Sequence, residues 1–319
     1  MADGKKSSSS FRALGSRFLD GAEPLIRVVI YASGWSSILF VGAIFFFIFK
    51  EAAPILPSVN WGEFFFENRW LPNPAIGNKP VYGAAGILYG TLAITVVSMV
   101  FAMPFGLAAA IYISEFAKGK VKETLKVLIE LLAAIPSIIW GFIGLVVMGP
   151  ILHKIFPEHT GVNLLNASLM VGFMAIPLIV SISEDALRAV PDSYREAALA
   201  LGASKWEVVY RVLFPAAKNG LLAAAMLGVG RAVGETMAVW MASGGTENIP
   251  TANEVFNFSF LLDRVKAMTA TIASEMPDVA HGDEHYQMLF VIGIVLLCIS
   301  VFINVVSDLV IKGVKKKLS

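Results

Sequence analysis

Charge is scarce in this chain. Lys, Arg, Asp and Glu make up 15% of its 319 residues, while 56% are hydrophobic and the mean hydropathy is +0.71. A soluble domain carries about a quarter charged residues, so this composition excludes one and points to the membrane class. Cysteine is nearly missing as well. The single Cys298 lies in an apolar run, which excludes a disulfide framework and reads as a small buried hydrophobe rather than a reactive thiol. No Cys/His cluster has metal-ligand spacing, and His281-Gly282-Asp283-Glu284-His285 reads as a loop with an N-cap for the last span. A Gly-x-x-x-x-Gly-Lys-Ser/Thr loop is absent, so ATP is not bound in the P-loop manner, and no Gly-x-Ser-x-Gly nucleophile elbow occurs. The chain therefore reads as non-enzymatic, with no metal or cofactor of its own. The first 25 residues lack an apolar core followed by a small-residue cleavage site, so no removable signal peptide is expected.

What is abundant is long apolar sequence. Six runs, at 28–49, 87–113, 127–151, 164–183, 218–243 and 287–311, each approach the roughly 20 residues needed to cross a hydrocarbon core. They do not alternate polar with apolar, so they are helices rather than barrel strands, and the fold class is an all-α integral membrane protein. Residues 1–27 form a tail, of which MADGKKSSSS reads as disordered; Phe11, Leu14, Phe18 and Leu19 share one face of a short helix suited to an anionic lipid surface, or belong to a frayed tail. Residues 28–319 form the six-span domain. Lys and Arg number eighteen in the two tails and the second and fourth loops, against six on the opposite side. That bias predicts both termini and the fourth loop, 184–217, to be cytoplasmic. Outside, residues 50–86 read as an irregular aromatic cap, and loop 244–286 holds a helix over 258–276 that packs on the outer mouth.

One polar stretch stands out between apolar runs: Glu196 to Pro215, EAALALGASKWEVVYRVLFP. Ser193-x-x-Glu196 and Ser204-x-x-Glu207 have the form of capping boxes, in which each side chain satisfies a free N–H at a helix start. Gly202 suits a left-handed helix stop, and Pro215 reads as the end of a second helix. The pattern predicts a helix, a tight turn and a helix projecting from the cytoplasmic side.

Three charged residues fall inside predicted spans: Glu130, Arg231 and Glu235. An Arg near the bilayer centre costs about 2.5–3.5 kcal/mol on insertion scales, so it needs a partner or a purpose. Arg231 and Glu235 are four apart, on one helix face where they can pair, and Gly230-x-x-x-Gly234 admits a close helix neighbour. Such a face is either an interface glued by a salt bridge or the wall of a substrate pathway. The pathway reading is preferred for Arg231 and Glu235, because membrane-embedded charges usually mark a substrate or ion route. Glu130 reads as interfacial, beside Lys126. Pro104, Pro136 and Pro177 lie within predicted spans, where they shape a cavity or reflect irregular packing.

The stretch from Glu196 resembles the signature of ATP-binding-cassette importer permeases: Glu-Ala-Ala, three residues, Gly, nine residues, an aliphatic residue, one more, then an apolar residue and Pro. Here these are Glu196-Ala197-Ala198, Gly202, Val212, Phe214 and Pro215, with Val212 and Phe214 replacing the usual Ile and Leu. The resemblance implies a type I ABC importer permease in which Glu196, Ala197, Ala198 and Gly202 belong to a coupling helix docked on a separate ATPase. LLAAIPSIIWG at 131–141, YISEFA at 112–117 and GRAVGETMAV at 230–239 resemble, more narrowly, phosphate-importer permeases of the PstC type. The companion permease of that system more often reads Gly-Glu-Thr-Ala-Pro, and sulfate and molybdate permeases Gly-Glu-Phe-Gly, where this chain has Gly234-Glu235-Thr236-Met237. This implies a bacterial inner-membrane subunit paired with a second homologous permease, an ATPase dimer holding ATP and Mg, and an external phosphate-binding protein, with no nucleic acid involved. A permease for phosphonate, sulfate or molybdate is the near alternative. A non-transporting sensor or scaffold is a further one, against which the in-span charges argue. An intramembrane enzyme is disfavoured by the missing nucleophile, metal and cofactor patterns.

Overall fold

The structure is a computed structural model that describes residues 4–73, 79–250, 254–255 and 258–316, with side chains described at Pro24 and within 26–309. Six helices among the described residues are long and apolar enough to cross a membrane: Ile26–Ala52, Ala85–Phe116, Ser137–Ile155, Leu164–Arg188, Lys205–Val233 and Glu284–Leu309.

Two compact units divide the chain, Met1–Pro54 and Ile55–Ser319. The first is one helix, α1 (Gly4–Ala52), which runs through Pro24 without a break. Helix thus begins at Gly4, inside the stretch expected to be disordered. The interfacial face of Phe11, Leu14, Phe18 and Leu19 lies outside the described side chains.

The second unit opens with α2 (Trp61–Phe66) and a short antiparallel pair, β1 (Trp70–Leu71) with β2 (Val81–Tyr82), Trp70 facing Tyr82. The aromatic cap is therefore partly ordered by a strand pair. The second span is α3 (Ala85–Ile111) continued by a π-helical turn, Tyr112–Phe116, and it contains Pro104. Next come α4 (Gly119–Ala133), α5 (Ser137–Ile143), a π-helical turn at Gly144–Met148 and α6 (Gly149–Ile155). The third span thus starts at Ser137, not at residue 127. Pro136 has no N–H to donate and bars its predecessor from helical geometry, so the apolar run splits into an amphipathic helix and a shorter span. Glu130 falls on α4, outside the span.

The core is built round α7 (Leu164–Arg188), where Leu164, Ala167, Met170, Val171 and Met174 are buried against Ile94 of α3 and Ala232, Ala238 and Val239 of the fifth span region. Small residues permit that closeness. At Gly106 an added Cβ would stand 2.7 Å from the Ile179 side chain. Pro177 lies within α7. After α7 come α8 (Asp192–Ala200), α9 (Lys205–Glu207), a π-helical turn at Val208–Leu213 and α10 (Phe214–Val233). Pro215 does not end the second helix as its sequence position suggests. It sits in the first turn of α10, where a missing N–H is tolerated, so the second helix of the projection runs directly into the fifth span.

Beyond α10 lies α11 (Met237–Ala242), and the following loop is not one helix over 258–276. It forms a 3-10 turn at Ser259–Leu262, an extended stretch in which Val265 bridges Gly244, and α12 (Met268–Glu275). Long-range bonds outcompete local helix here. Thr91 Oγ1 accepts the Met268 N–H at 2.9 Å, and the Lys266 carbonyl comes so close to Gly90 that an added Cβ would lie 2.1 Å away. Val265, Ala267, Met268 and Thr271 are buried by this seating. The last span lies in α13 (Glu284–Lys316), preceded by Asp283, whose Oδ1 accepts the Glu284 N–H at 2.8 Å. Cys298 on this helix is exposed rather than buried, because only the first turns of α13 pack inward.

Candidate functional site

The projection is organised by its turn. Gly202, at φ +84°, follows the end of α8. The N–H of Ala203 donates to the Ala198 carbonyl at 3.1 Å and that of Gly202 to Leu199 at 3.0 Å, a Schellman closure that satisfies carbonyls the helix leaves open. The capping box at Ser204 and Glu207 is formed: Glu207 Oε2 accepts the Ser204 N–H at 2.9 Å and Ser204 Oγ accepts the Glu207 N–H at 3.3 Å. The expected box at Ser193 and Glu196 is not. α8 starts two residues earlier, with Pro191 at its N-cap, because Pro supplies the extended entry without a side-chain cap. Glu196 and Ala197 are exposed, and Ala198 packs inward on a small core with Val208, Val209 and Leu213. Leu201 is 89% exposed at the tip, with Tyr194, Leu199 and Trp206 also exposed nearby. A set of apolar side chains thus stands exposed on capped turns.

The structure does not bring Arg231 and Glu235 together. α10 ends at Val233, Gly234 caps it, and α11 restarts at Met237, so the predicted span 218–243 is interrupted between the two residues. No salt bridge joins them. A broken helix within a membrane frees backbone groups that need partners, and several find them within this chain. Glu235 Oε1 accepts the Ala238 N–H at 3.3 Å, the Glu235 carbonyl accepts Thr269 Oγ1 at 2.7 Å, and the Trp240 N–H donates to the Thr236 carbonyl at 2.8 Å. Glu235 is 9% exposed and serves as the carboxylate at the start of α11, where the free N–H groups favour negative charge.

Arg231 is exposed on α10 and lines a cavity of about 410 Å³ on the same side as the projection, with Lys126 and Glu130 of α4 and Ser181, Glu184 and Asp185 of α7. Glu184 is 4% exposed and is the charge centre of the α4–α7 contact. Its carboxylate meets Lys126 Nζ at 2.8 Å, Arg188 Nη1 at 3.5 Å and Lys122 Nζ at 3.9 Å. Three cations around one carboxylate compensate its burial. Arg231 has no ion-pair partner among the described residues. Sequence reasoning passed over Glu184; its placement at i−4 from Arg188 near the end of a span was the available signal. It also passed over Arg195, which pairs with Glu115, a contact 80 residues apart that no local pattern reveals.

On the opposite side, Glu275 gathers Lys266 Nζ at 2.6 Å, Trp70 Nε1 at 2.8 Å and His285 Nε2 at 2.8 Å, and Lys266 also meets Glu247 at 3.2 Å. Burial pushes the Glu275 carboxyl up, but the hydrogen bonds from Lys266 and Trp70, the Lys266 charge and the His285 bond outweigh it and hold it below the usual carboxylate range. His285 is thus a structural partner of Glu275, and among the described residues no group of three His, Cys, Asp or Glu is placed to hold a metal.

These features define a multi-pass helical membrane protein with a polar, capped projection and a charged cavity beside a discontinuous span. Residues 102–319 match the family described as binding-protein-dependent transport system inner membrane component, and the chain belongs to that family. It is 36% identical over 256 residues to the probable ABC transporter permease protein YqgH of Bacillus subtilis, covering 80% of this chain and 76% of that one. Against the phosphate transport system permease protein PstC of Haemophilus influenzae it is 33% identical over 273 residues, covering 78% and 81%. Against PstC 1 of Mycobacterium tuberculosis it is 31% identical over 290 residues, covering 81% and 84%. Among solved structures it is similar to a chain of a bacterial alginate ABC transporter, with a TM-score of 0.59, 13% identity and 91% and 94% coverage. A chain of the MetNI methionine ABC transporter in inward-facing conformations matches with a TM-score of 0.55, 23% identity and 71% and 93% coverage. At such identities the likeness is one of fold, and that fold is the type I ABC importer permease.

Proposed function

We propose that this chain is the transmembrane permease subunit of an ATP-driven phosphate importer, supplying half of the translocation pathway. The observation that carries this is Arg231, unpaired and exposed on a cavity beside the broken fifth span, in a chain whose relatives include phosphate permeases. A guanidinium fork matches two phosphate oxygens. Arg231 and Glu235 act in sequence along the route rather than as a pair: Arg231 attracts the anion in the cavity, and Glu235, at the break, accepts the P–OH that phosphate retains near neutral pH and sulfate lacks.

The rest of the machinery follows from the exposed surfaces. Glu196, Ala197, Ala198 and Gly202 form the coupling element for a dimer of ABC ATPases, which bind the ATP and Mg that this chain, lacking a P-loop, does not. A second, homologous permease covers the face of Leu227, Gly230, Arg231, Gly234 and Met237; a Cβ at Gly230 meets nothing within this chain. An external binding protein delivers phosphate, and both termini and the projection are cytoplasmic, as the Lys and Arg bias requires. Energy input is needed because moving one negative charge inward against an inside-negative potential costs about 2.3 kcal/mol per 100 mV. The test is uptake of radiolabelled phosphate, phosphonate, sulfate and molybdate by the complex reconstituted with ATP. Phosphate is expected to accumulate; accumulation of another oxyanion in its place overturns the assignment.

A further inference from the structure

Arg195 stands one residue before the Glu196-Ala197-Ala198 stretch, and every donor of its guanidinium is used. Nε donates to Glu115 Oε2 at 3.3 Å and Nη2 to Glu115 Oε1 at 3.0 Å. Nη2 also donates to the Leu187 carbonyl at 2.8 Å, and Nη1 to the Val190 carbonyl at 2.7 Å and to Asp192 Oδ1 at 3.1 Å. A guanidinium has five N–H groups in a rigid fork, so none is left over. The Arg195 and Glu115 side chains are only 16% and 15% exposed, although the opposite face of α8 is open to solvent.

The acceptors come from different parts of the molecule. Glu115 lies in the π-helical turn that ends the second span. Leu187 is in the last turn of α7, the fourth span, and Val190 is in the link between α7 and α8. A bidentate carboxylate fixes orientation as well as distance. Among the described residues this is the only ion pair between α8 and the second span. At its other end α8 passes through the Gly202 turn into the helix that becomes the fifth span.

We propose that Arg195 is a positioning residue that fastens α8 to the ends of the second and fourth spans, so that a displacement of α8 moves both spans as one body. The inference rests on α8 being the helix that the ATPase moves. Without the fork, α8 pivots about the short link at 189–191 and the displacement is absorbed there. Glu115 is the other half of the joint.

The test uses the full complex in proteoliposomes, reading phosphate transported per ATP hydrolysed. Arg195→Gln and Glu115→Gln are expected to assemble and hydrolyse ATP, with phosphate per ATP lowered on the order of tenfold, as for loss of one charge-assisted hydrogen bond. Arg195→Lys keeps the charge but loses the fork and is not expected to recover. Arg195→Cys with Glu115→Cys, in a Cys298→Ser background, is expected to recover coupling when bridged by a short bifunctional thiol reagent. A second reading needs no phosphate: spin labels at Lys118→Cys and Lys205→Cys, again in the Cys298→Ser background, report the spacing between the end of the second span and the projection. That spacing is expected to stay fixed through ATP binding with Arg195 present and to shift or broaden with Arg195→Lys. Normal phosphate per ATP in an assembled Arg195→Gln complex, or an unchanged spacing with Arg195→Lys, overturns the joint. A native complex that hydrolyses ATP without moving phosphate overturns the phosphate reading instead, and the spacing still judges Arg195.

Discussion

Arg231 lies near the end of α10 and Glu235 within the break, so removing either tests a different step. Arg231→Lys retains a charge but not the two-point match to phosphate, and is expected to lower uptake about tenfold at limiting phosphate while the complex still assembles. Glu235→Gln is the sharper variant, because the amide oxygen can still accept the Ala238 N–H that the carboxylate accepts now. The start of α11 is then preserved, and any change reads out charge. Phosphate uptake is expected to fall and sulfate to begin competing in an uptake assay; unchanged uptake together with unchanged sulfate exclusion removes Glu235 from the route. The spacing of Arg231 and Glu235 predicted a pair on one face, and the broken helix separates them. A Gly-Glu-Thr sequence inside an apolar run is compatible with continuous helix, and only Thr269, 34 residues away, supplies the donor that makes the break satisfactory.

At the level of elements, the projection was legible because its determinants are local: a glycine at positive φ, a capping box and the motif spacing. Gly202 has open space around its missing Cβ, so Gly202→Asp adds no clash, but a side chain at φ +84° costs about 1–2 kcal/mol through backbone conformation. It is expected to leave the chain inserted and folded, yet to abolish transport and release the ATPase on copurification, because a charge then stands on the docking surface. Normal assembly and uptake would end that assignment. Two further glycines separate interior from interface. Gly90→Ala drives a Cβ into the Lys266 carbonyl and is expected to destabilise the chain by about 1–3 kcal/mol, read as thermal unfolding in detergent. Gly230→Leu meets nothing in this chain, so its expected effect is on copurification of the second permease and not on the chain's own melting. The helix expected over 258–276 was not legible, since its residues are claimed by partners as far off as Thr91, 177 positions away.

Across the whole molecule, Glu275 ties together parts that are distant in sequence: β1 through Trp70, 205 residues earlier, the loop through Lys266, and the start of the last span through His285. Its folded-state pKa lies below the ordinary carboxylate value of about 4.3. A depressed carboxyl contributes stability that is present above the unfolded pKa and is lost as pH falls through the folded one. Its contribution should therefore persist from neutral pH to about 5 and vanish only below about 4, with Glu275→Gln abolishing that acid-linked step in melting curves recorded against pH.

The sequence by itself determined the membrane class, the number of spans and the presence of a capped helical projection, because hydrocarbon thickness, apolar length and helix-end chemistry are read within a few turns of the chain. Tertiary structure decided where the spans begin and break, how the outer loop is seated, and which charges meet. Glu184 with Lys126, Arg195 with Glu115 and Glu275 with Lys266 are ordinary polar residues in the sequence. They become a cavity wall and two inter-element ion pairs only when carboxylates drawn out of water need compensating cations and the fold brings one within reach. The projection is a local property of the chain; what it is tied to is a property of the fold.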